Sequence, residues 1–372
     1  MLESARTPFD RRIAVVEMSV KLWVRAESKS NERRVALVPE DAKTLIDAGF
    51  DVTVEHSSDR AIAAEAYKYV GCHITEAFSW PEAPHDAFIL GVKELPDGDE
   101  PLVHRHIYFG HVYKDQPGWQ HTLSRFTAGG GQLFDLECLV DETGRRVAAF
   151  GYWAGYAGAA VAAQVWVGQQ DGRHPPLESV SDYPNVDALL AELRSNLDRV
   201  GSKPSMIVIG ALGRSGSGAT KLGEQLGIAV TKWDMAETAS GGPFPQIRQH
   251  DIFVNCILAS PSCPRFVTSD DVTAGDRRLS VIADVSCDPE SVYNPIPIYN
   301  RSTTFTDPTV TITAGPPPLD VMAIDHLPSM LPMESSIDYS RQLTPTLLTL
   351  AKPEDGALGR ALADFNKNIA RL

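Results

Sequence analysis

The sequence predicts an α/β protein of two doubly wound domains that face each other across a cleft. Three observations carry this. Short apolar, β-branched runs alternate with amphipathic segments along most of the 372 residues. A strand, a glycine-rich turn, a helix and a second strand follow one another from Met206 to Asp234. A closing segment places Leu358, Leu362, Phe365 and Ile369 on one helical face, which needs a partner earlier in the chain.

The elements read in order as follows. Val20 to Arg25 is a first strand, and a polar loop with Lys29, Arg33 and Arg34 comes after it. Pro39 opens a helix that Gly49 closes. Phe50 to Glu55 is a strand and Ala61 to Tyr69 a helix ending at Gly71. Strands follow at 87–92, 106–109 and 133–136, with a helix at 119–127 before the last. This alternation gives one mostly parallel sheet. Asp141 to Gly144 is a turn before Arg145 and Arg146, and an alanine- and glycine-rich helix, 155–167, leads out of the first domain. A helix at 186–200 brings the chain to the glycine turn. Beyond it come strands at 251–256, 279–284 and 309–313, a Pro-rich stretch at 294–297, and the segment Ile324 to Ser329. The closing helix is expected to pack back on the first domain. The organisation is therefore an extension at 1–17, a substrate domain at 18–150 plus 335–372, and a nucleotide domain at 151–334.

The glycine turn carries the most chemistry. Met206 to Ile209 reads as a buried strand, and glycines follow at Gly210, Gly213, Gly216 and Gly218. A helix-like segment, 219–226, stops at Gly227, and strand 229–233 ends in Asp234. Glycines there let the backbone approach a pyrophosphate, and the helix N-terminus offers it free N–H groups. An acid about 20 residues on holds the ribose hydroxyls and repels a 2′-phosphate, so a Rossmann-like unit using NAD is predicted over one using NADP. The G-x-x-G-x-x-G spacing departs from the commoner G-x-G-x-x-G. The competing reading is an ordinary glycine-rich βα turn.

Bulk properties narrow the function. A net charge of −14 with no basic run argues against a nucleic-acid surface. No apolar run approaches the ~20 residues of a membrane span. The five cysteines (Cys72, Cys138, Cys256, Cys263 and Cys287) form no C-x-x-C or zinc spacing and suit a reducing compartment. Residues 1–17 fit neither a secretory signal nor a transit peptide. A cytoplasmic monomer is expected. The ending Ala370-Arg371-Leu372 is a relaxed form of the S-K-L peroxisomal address, or chance at the end of a helix.

Three polar residues sit just past strand ends in the first domain: Lys93, His111 and Glu137. Ligands of open α/β sheets bind there. A desolvated lysine near other cations becomes a usable base, and a strand-end histidine is a natural acid/base group. The bland reading of Lys93 is a side chain pointing to water. Arg34, Arg145 and Arg146 suit carboxylate recognition, with structural ion pairs as the alternative. His104, His106 and His111 lack an acid at ligand spacing, so no metal is expected, and His104 and His106 read as structural or exposed.

The blocks GVKELP, GHVYKDQPGWQ, DLE, GRRVAAFGYWAGYAGAA, IGALGRSGSGA, KWD, SGGPF, NPIPIY and IDHLPS together resemble the NAD-dependent, L-lysine-forming saccharopine dehydrogenases, of the alanine dehydrogenase and transhydrogenase fold group. The resemblance runs from about Val20 to the C-terminus. It implies oxidation of saccharopine by NAD and hydrolysis to L-lysine and 2-oxoglutarate, the last step of the α-aminoadipate route of lysine biosynthesis. By motif, Lys93 is implied as the base for the secondary amine and His111 as the acid/base group for imine hydrolysis. Glu94 and Glu137 tune them. Arg34, Gln116, Arg145, Phe150, Ser286, Cys287 and Asp288 are implied as substrate contacts. Arg146, Gly213, Arg214, Asp234, Thr238, Leu258, Val285, Ile324, Asp325, His326 and Leu327 are implied at the NAD site. Some family members carry a cysteine where this chain has Ser215, able to pair with the one matching Cys256, and that disulfide cannot form here. Cys287 stands where a smaller residue such as alanine is expected, and Ser240 replaces a basic residue. An alanine-dehydrogenase-like enzyme and a catalytically silent NAD-binding protein are the alternatives.

Overall fold

The computed structural model describes residues 19–29 and 32–372; the extension read at 1–17 lies outside the described residues. Two six-stranded sheets organise the chain. The first contains β1 (Lys21–Val24), β2 (Asp51–Glu55), β3 (His73–Thr75), β4 (Phe88–Leu90), β5 (Arg105–Tyr108) and β6 (Gln132–Asp135). Their order is β3-β2-β1-β4-β5-β6, all parallel. Helices α1 (Pro39–Asp47), α2 (Ala64–Tyr69) and α3 (Trp119–Gly129) connect them. The order reverses between β1 and β4, so a crevice opens beyond their carboxyl ends.

α4 (Gly151–Gln170) and α5 (Val186–Val200) lead to the second sheet. There β7 (Ser205–Ile209), α6 (Arg214–Leu226) and β8 (Ala229–Trp233) form the glycine-turn unit. Short helices α7 (Met235–Thr238), α8 (Pro245–Arg248) and α9 (Ser269–Thr273) surround β9 (Ile252–Asn255) and β10 (Val281–Asp284). β11 (Val310–Thr313) and β12 (Leu319–Met322) complete the sheet in the order β11-β12-β10-β9-β7-β8. Only β11 runs antiparallel, at an edge. The switch point lies between β7 and β9.

α4 is buried almost all round because it packs under this sheet and against α6. The approach is close. A Cβ on Gly155 would stand 1.7 Å from the Ser215 carbonyl oxygen, and one on Gly218 would stand 1.9 Å from that of Tyr152. These glycines are packing surfaces, and they tie α4 to the turn read as the cofactor site.

α10 (Pro332–Leu347) and α11 (Gly356–Ile369) return to the first sheet. Leu358 joins its main core, and Phe365 packs on Phe126 of α3 with ring centroids 5.6 Å apart. α10 does not show in the sequence pattern because Ser335, Ser336, Ser340 and Thr344 interrupt the buried face that Tyr339, Leu343 and Leu347 form. Ser336 and Ser340 accept the backbone N–H groups of Val35 and Val38, each at 2.9 Å, and thereby dock the loop that carries Arg34. Two strands are also hidden in the sequence: β3 has only three residues, and β12 follows the prolines 316–318. α6 starts at Arg214, within the glycine run, where the sequence suggests Ala219.

Candidate active site

A cavity of about 420 Å³ opens between the two sheets. From the first sheet come Arg34, Lys93, His111, Glu137, Arg146 and Phe150. Facing them are Ser215, Leu258, Val285, Ser286, Asp325 and His326. Lys93, His111, Glu137, Leu258, Val285, Ser286, Asp325 and His326 follow the carboxyl ends of parallel strands, where polar residues converge.

Lys93 is held by its backbone. The carboxylate of Glu27 accepts the N–H groups of Val92 at 2.6 Å and Lys93 at 3.0 Å. Buried Arg25 donates to the Lys93 carbonyl and pairs with Glu27 at 3.2 Å. Neither Arg25 nor Glu27 stands out in the sequence as a site residue. The available signal is position: Glu27 lies just past β1, at the same switch point as Lys93.

His111 follows β5 with φ +51°, a left-handed conformation that non-glycine residues rarely adopt. Its Nδ1 lies 2.5 Å from Oε1 of Glu94. An ionised carboxylate only accepts, so Nδ1 carries the proton and Nε2 is the free nitrogen. The Glu94 hydrogen bond raises the His111 pKa above its ordinary value against partial burial, with the charges of Glu94, Glu137 and Asp135 assisting. Burial pushes Glu94 up, but the hydrogen bond and charge of His111 and the charge of Lys93 outweigh it, leaving Glu94 at about 2. Asp135, another residue that sequence reasoning misses, accepts the N–H groups of Gly110 and Glu137. Lys114 donates to Glu137 at 3.3 Å.

Arg34 makes the structural ion pair that is one reading of it, and it also reaches the cavity. It is buried and bonded twice to the Glu32 carboxylate, at 2.8 and 2.6 Å. Its guanidinium carbon lies 4.4 Å over the Phe150 ring, whose far face stacks on Tyr339 at 4.1 Å. Arg145 differs from its expected place. It is exposed on the 141–146 turn and stands off the cavity wall, because its backbone closes that turn on Asp141. Arg146 lies at the mouth, and its carbonyl accepts from Arg214 at 2.8 Å. None of Arg145, Arg146 and Arg214 makes an ion pair among the described residues. Gln116 lies off this cavity too. It lines an adjoining one of about 320 Å³ that shares His111 with the first.

On the other side, Asp234 sits at the end of β8. Its Oδ2 accepts the Leu212 N–H of the glycine turn at 3.0 Å, and Oδ1 accepts that of Met235. Thr238 bonds back to the Asp234 carbonyl at 2.9 Å. The N-terminus of α6 has no side-chain cap; the Gly213 N–H donates to the Gly210 carbonyl at 3.0 Å, and the N–H groups of the first turn from Arg214 on are open. Leu212, Met235 and Leu258 are 75–85% exposed around it, an apolar setting ready for a flat ring. Asp325 and His326 line the cavity, whereas Ile324 and Leu327 turn their side chains into the core. His326 is held below its ordinary pKa by burial, with Lys93 and Arg34 adding to this across the cleft. Ser286 is fixed by Asp284 at 2.7 Å and Asn255 at 3.0 Å. The Cys287 thiol, at φ +50°, instead points to the Ala323 carbonyl at 3.0 Å, and Asp288 is exposed; neither lines the cavity. Cys256 and Ser215 both line it, and Cys256 is free.

Residues 23–157 match the family described as alanine dehydrogenase/PNT, N-terminal domain. A protein of Emericella nidulans named saccharopine dehydrogenase [NAD(+), L-lysine-forming] is 48% identical over 371 residues, covering 95% of this chain and 98% of that one. The chain belongs to this family. The Schizosaccharomyces pombe protein of the same name is 47% identical over 88% of this chain and 92% of its own. The fold extends further. A transhydrogenase from Sinorhizobium meliloti superimposes with a TM-score of 0.62 at 20% identity, covering 91% of this chain and 97% of its own. No helix among the described residues is long and apolar enough to cross a membrane.

Proposed function

We propose that this chain catalyses the NAD-dependent oxidative cleavage of saccharopine to L-lysine and 2-oxoglutarate; its relatives are named NAD-dependent, L-lysine-forming saccharopine dehydrogenases. One observation supports the reading most. Lys93 and His111, proton-transfer groups of different character from adjacent strands, line one cavity with Ser215, Leu258 and Val285 of the nucleotide unit. We assign the substrate unit to 18–150 plus 335–372 and the nucleotide unit to 151–334, a division supported by α10 and α11 packing on the first sheet and α4 on α6.

Residues fit for NAD are in place. The uncapped N-terminus of α6 suits the pyrophosphate, Asp234 the ribose, and Leu212, Met235 and Leu258 the adenine. When bound, NAD accepts a hydride. The chain's own residues do the rest. A secondary amine must lose its ammonium proton before its lone pair can push, and Lys93 is the base that takes it. Water must then be deprotonated to attack the imine, and the departing amine reprotonated; His111 Nε2 serves both. Glu94 fixes the tautomer and Glu137 adds negative charge nearby. Arg34, held by Glu32 and Phe150, meets a substrate carboxylate.

A cofactor assay with saccharopine against alanine tests this. NADH formation with saccharopine is expected, and formation with alanine alone overturns the reading. The Lys93→Met/His111→Gln variant should lose turnover by about 10²–10⁴-fold while still binding NADH. An unchanged pH–rate profile in it would remove both residues from the mechanism.

The expected monomer is checked by light scattering. The Ala370-Arg371-Leu372 ending serves as a peroxisomal address only if Arg371 leaves its contacts with Trp119 and Asp115. Fluorescence microscopy of tagged chains with and without the tripeptide tests it.

A further inference from the structure

β5 and β6 pair side by side up to Tyr108 and Asp135. The chain beyond β5 carries Gly110 and His111, and the chain beyond β6 carries Glu137. Asp135 lies between them, 2% exposed. Its Oδ2 accepts the Gly110 N–H at 3.1 Å, and its Oδ1 accepts the Glu137 N–H at 2.9 Å. A Cβ on Gly110 would stand 2.8 Å from Cδ2 of Leu133 and 3.0 Å from that same Oδ2, so glycine is what lets the carboxylate close in. Asp135 makes no ion pair among the described residues. Burying a carboxylate without a cation is costly, and an apolar residue would fill a strand end more cheaply.

The cost brings a definite arrangement. Both oxygens are used on the two backbone groups that lead into His111 and Glu137. His111 itself is held in a left-handed conformation, which persists only where the surroundings over-determine it. We propose that Asp135 is a positioning residue for the proton-transfer step, fixing the His111 turn against Glu137 through its two backbone hydrogen bonds. This rests on the role proposed for His111.

A pH dependence follows. Burial pushes Asp135 up to about 6; the charge of Glu137 adds to this, and the two N–H bonds and His111 oppose it. The titratable groups facing it are Tyr108, His111, Tyr113, Glu137, Cys138 and Tyr339. Once the carboxyl is protonated, one of the two N–H groups loses its acceptor and the turn relaxes.

The test is Asp135→Asn, whose amide can accept one N–H but presents a donor to the other. In steady-state saccharopine oxidation we expect kcat to fall about tenfold to a hundredfold, as for a displaced acid/base group. The acid limb of kcat near pH 6 should move, with NADH affinity unchanged. His111→Gln is run alongside. Wild-type kcat and pH profile in Asp135→Asn, with His111→Gln slow, overturns the positioning role alone. Full turnover in His111→Gln overturns the His111 reading and this one with it. Hydrogen exchange on the wild-type protein gives a measurement independent of variant folding. Protection of the Gly110 and Glu137 amides, corrected for intrinsic rate, should fall together as pH drops through about 6, while the Ile107 amide in β5 keeps its own. Constant protection at both amides overturns the proposal.

Discussion

Glu94 accepts a hydrogen bond from Nδ1 of His111 at 2.5 Å and follows Lys93 directly in the chain, and the charge of Lys93 helps to keep its carboxylate ionised. Its folded pKa of about 2 lies below the ordinary carboxylate value, and that of His111 lies above the ordinary imidazole value. The signs set a window. The Glu94 contribution to stability is present above its unfolded pKa and is lost as pH falls through about 2. The His111 contribution is present below its unfolded pKa and is lost as pH rises through its raised folded value. Between these limits the pair is intact. Glu94→Gln removes the negative partner, so the His111 pKa falls. If neutral His111 is the base for water, the rise of kcat/KM with pH moves to lower pH, by about one unit. A profile that stays in place, or moves up, removes Glu94 as the tuning group.

Asp234 is the residue we propose to carry the choice of cofactor. Its carboxylate already accepts the Leu212 N–H at 3.0 Å, which aims it at the glycine turn. Hydrogen bonds to a charged group contribute about 1.5–3 kcal/mol, so Asp234→Ala should weaken NAD by about tenfold to a hundredfold. NADP gains nothing from this carboxylate and is repelled by it, so its affinity should hold or improve. Titration of both cofactors by fluorescence reads the difference. An equal loss for both contradicts a ribose role.

Much of this arrangement is legible in the amino-acid sequence, and the exceptions have physical causes. The strand-end positions of Lys93, His111 and Glu137 follow from periodicity alone, because a parallel sheet delivers what comes after each apolar run to one edge. α5 and β8 fall at the bounds their patterns predict, Val186–Val200 and Ala229–Trp233. α10 is hard to read because serines and a threonine are buried among Tyr339, Leu343 and Leu347 and break the apolar stripe. Glu27 and Asp135 stay hidden for a related reason. Their work is to accept backbone N–H groups, which no side-chain pattern announces. The split within Ile324 to Leu327, where Asp325 and His326 line the cavity and their neighbours enter the core, is likewise set by packing under α4. The substrate itself comes from resemblance to a family, since residue types specify proton transfer and carboxylate binding but no particular amine.

The Gly155–Ser215 contact joins α4 to the first turn of α6, which we propose to hold the cofactor. A methyl at Gly155 cannot coexist with the Ser215 carbonyl at 1.7 Å, so α4 and α6 must separate. Overpacking of this kind costs about 1–3 kcal/mol. Gly155→Ala should lower Tm by several degrees and weaken NADH together, because Ser215 belongs to the first turn of α6. Calorimetry and a binding titration on the same sample check the pair. A lowered Tm with unchanged NADH affinity separates the two effects and refutes the coupling.

Arg371 joins the end of α11 to the turn that follows His111. Its guanidinium carbon lies 4.4 Å from the centroid of the Trp119 ring. It donates to Oδ1 of Asn368 at 2.7 Å and to the Asp115 carboxylate. Asp115 holds a left-handed φ of +56°, and the next residue, Gln116, accepts the Lys114 N–H at 2.7 Å. A cation on an exposed aromatic face contributes about 0.5–1 kcal/mol, and an exposed ion pair no more than about 1. Arg371→Ala should therefore cost about 1 kcal/mol locally, with the loss falling on the loop that presents Gln116. We expect the KM for saccharopine to rise by up to about fivefold, which is what 1 kcal/mol corresponds to. NADH affinity should be unchanged, since the glycine turn lies across the cleft. Arg371→Lys keeps the charge but not the planar stack on Trp119, and should recover part of the KM. A wild-type KM in Arg371→Ala, with Tm lowered, would confine Arg371 to holding α11 in place.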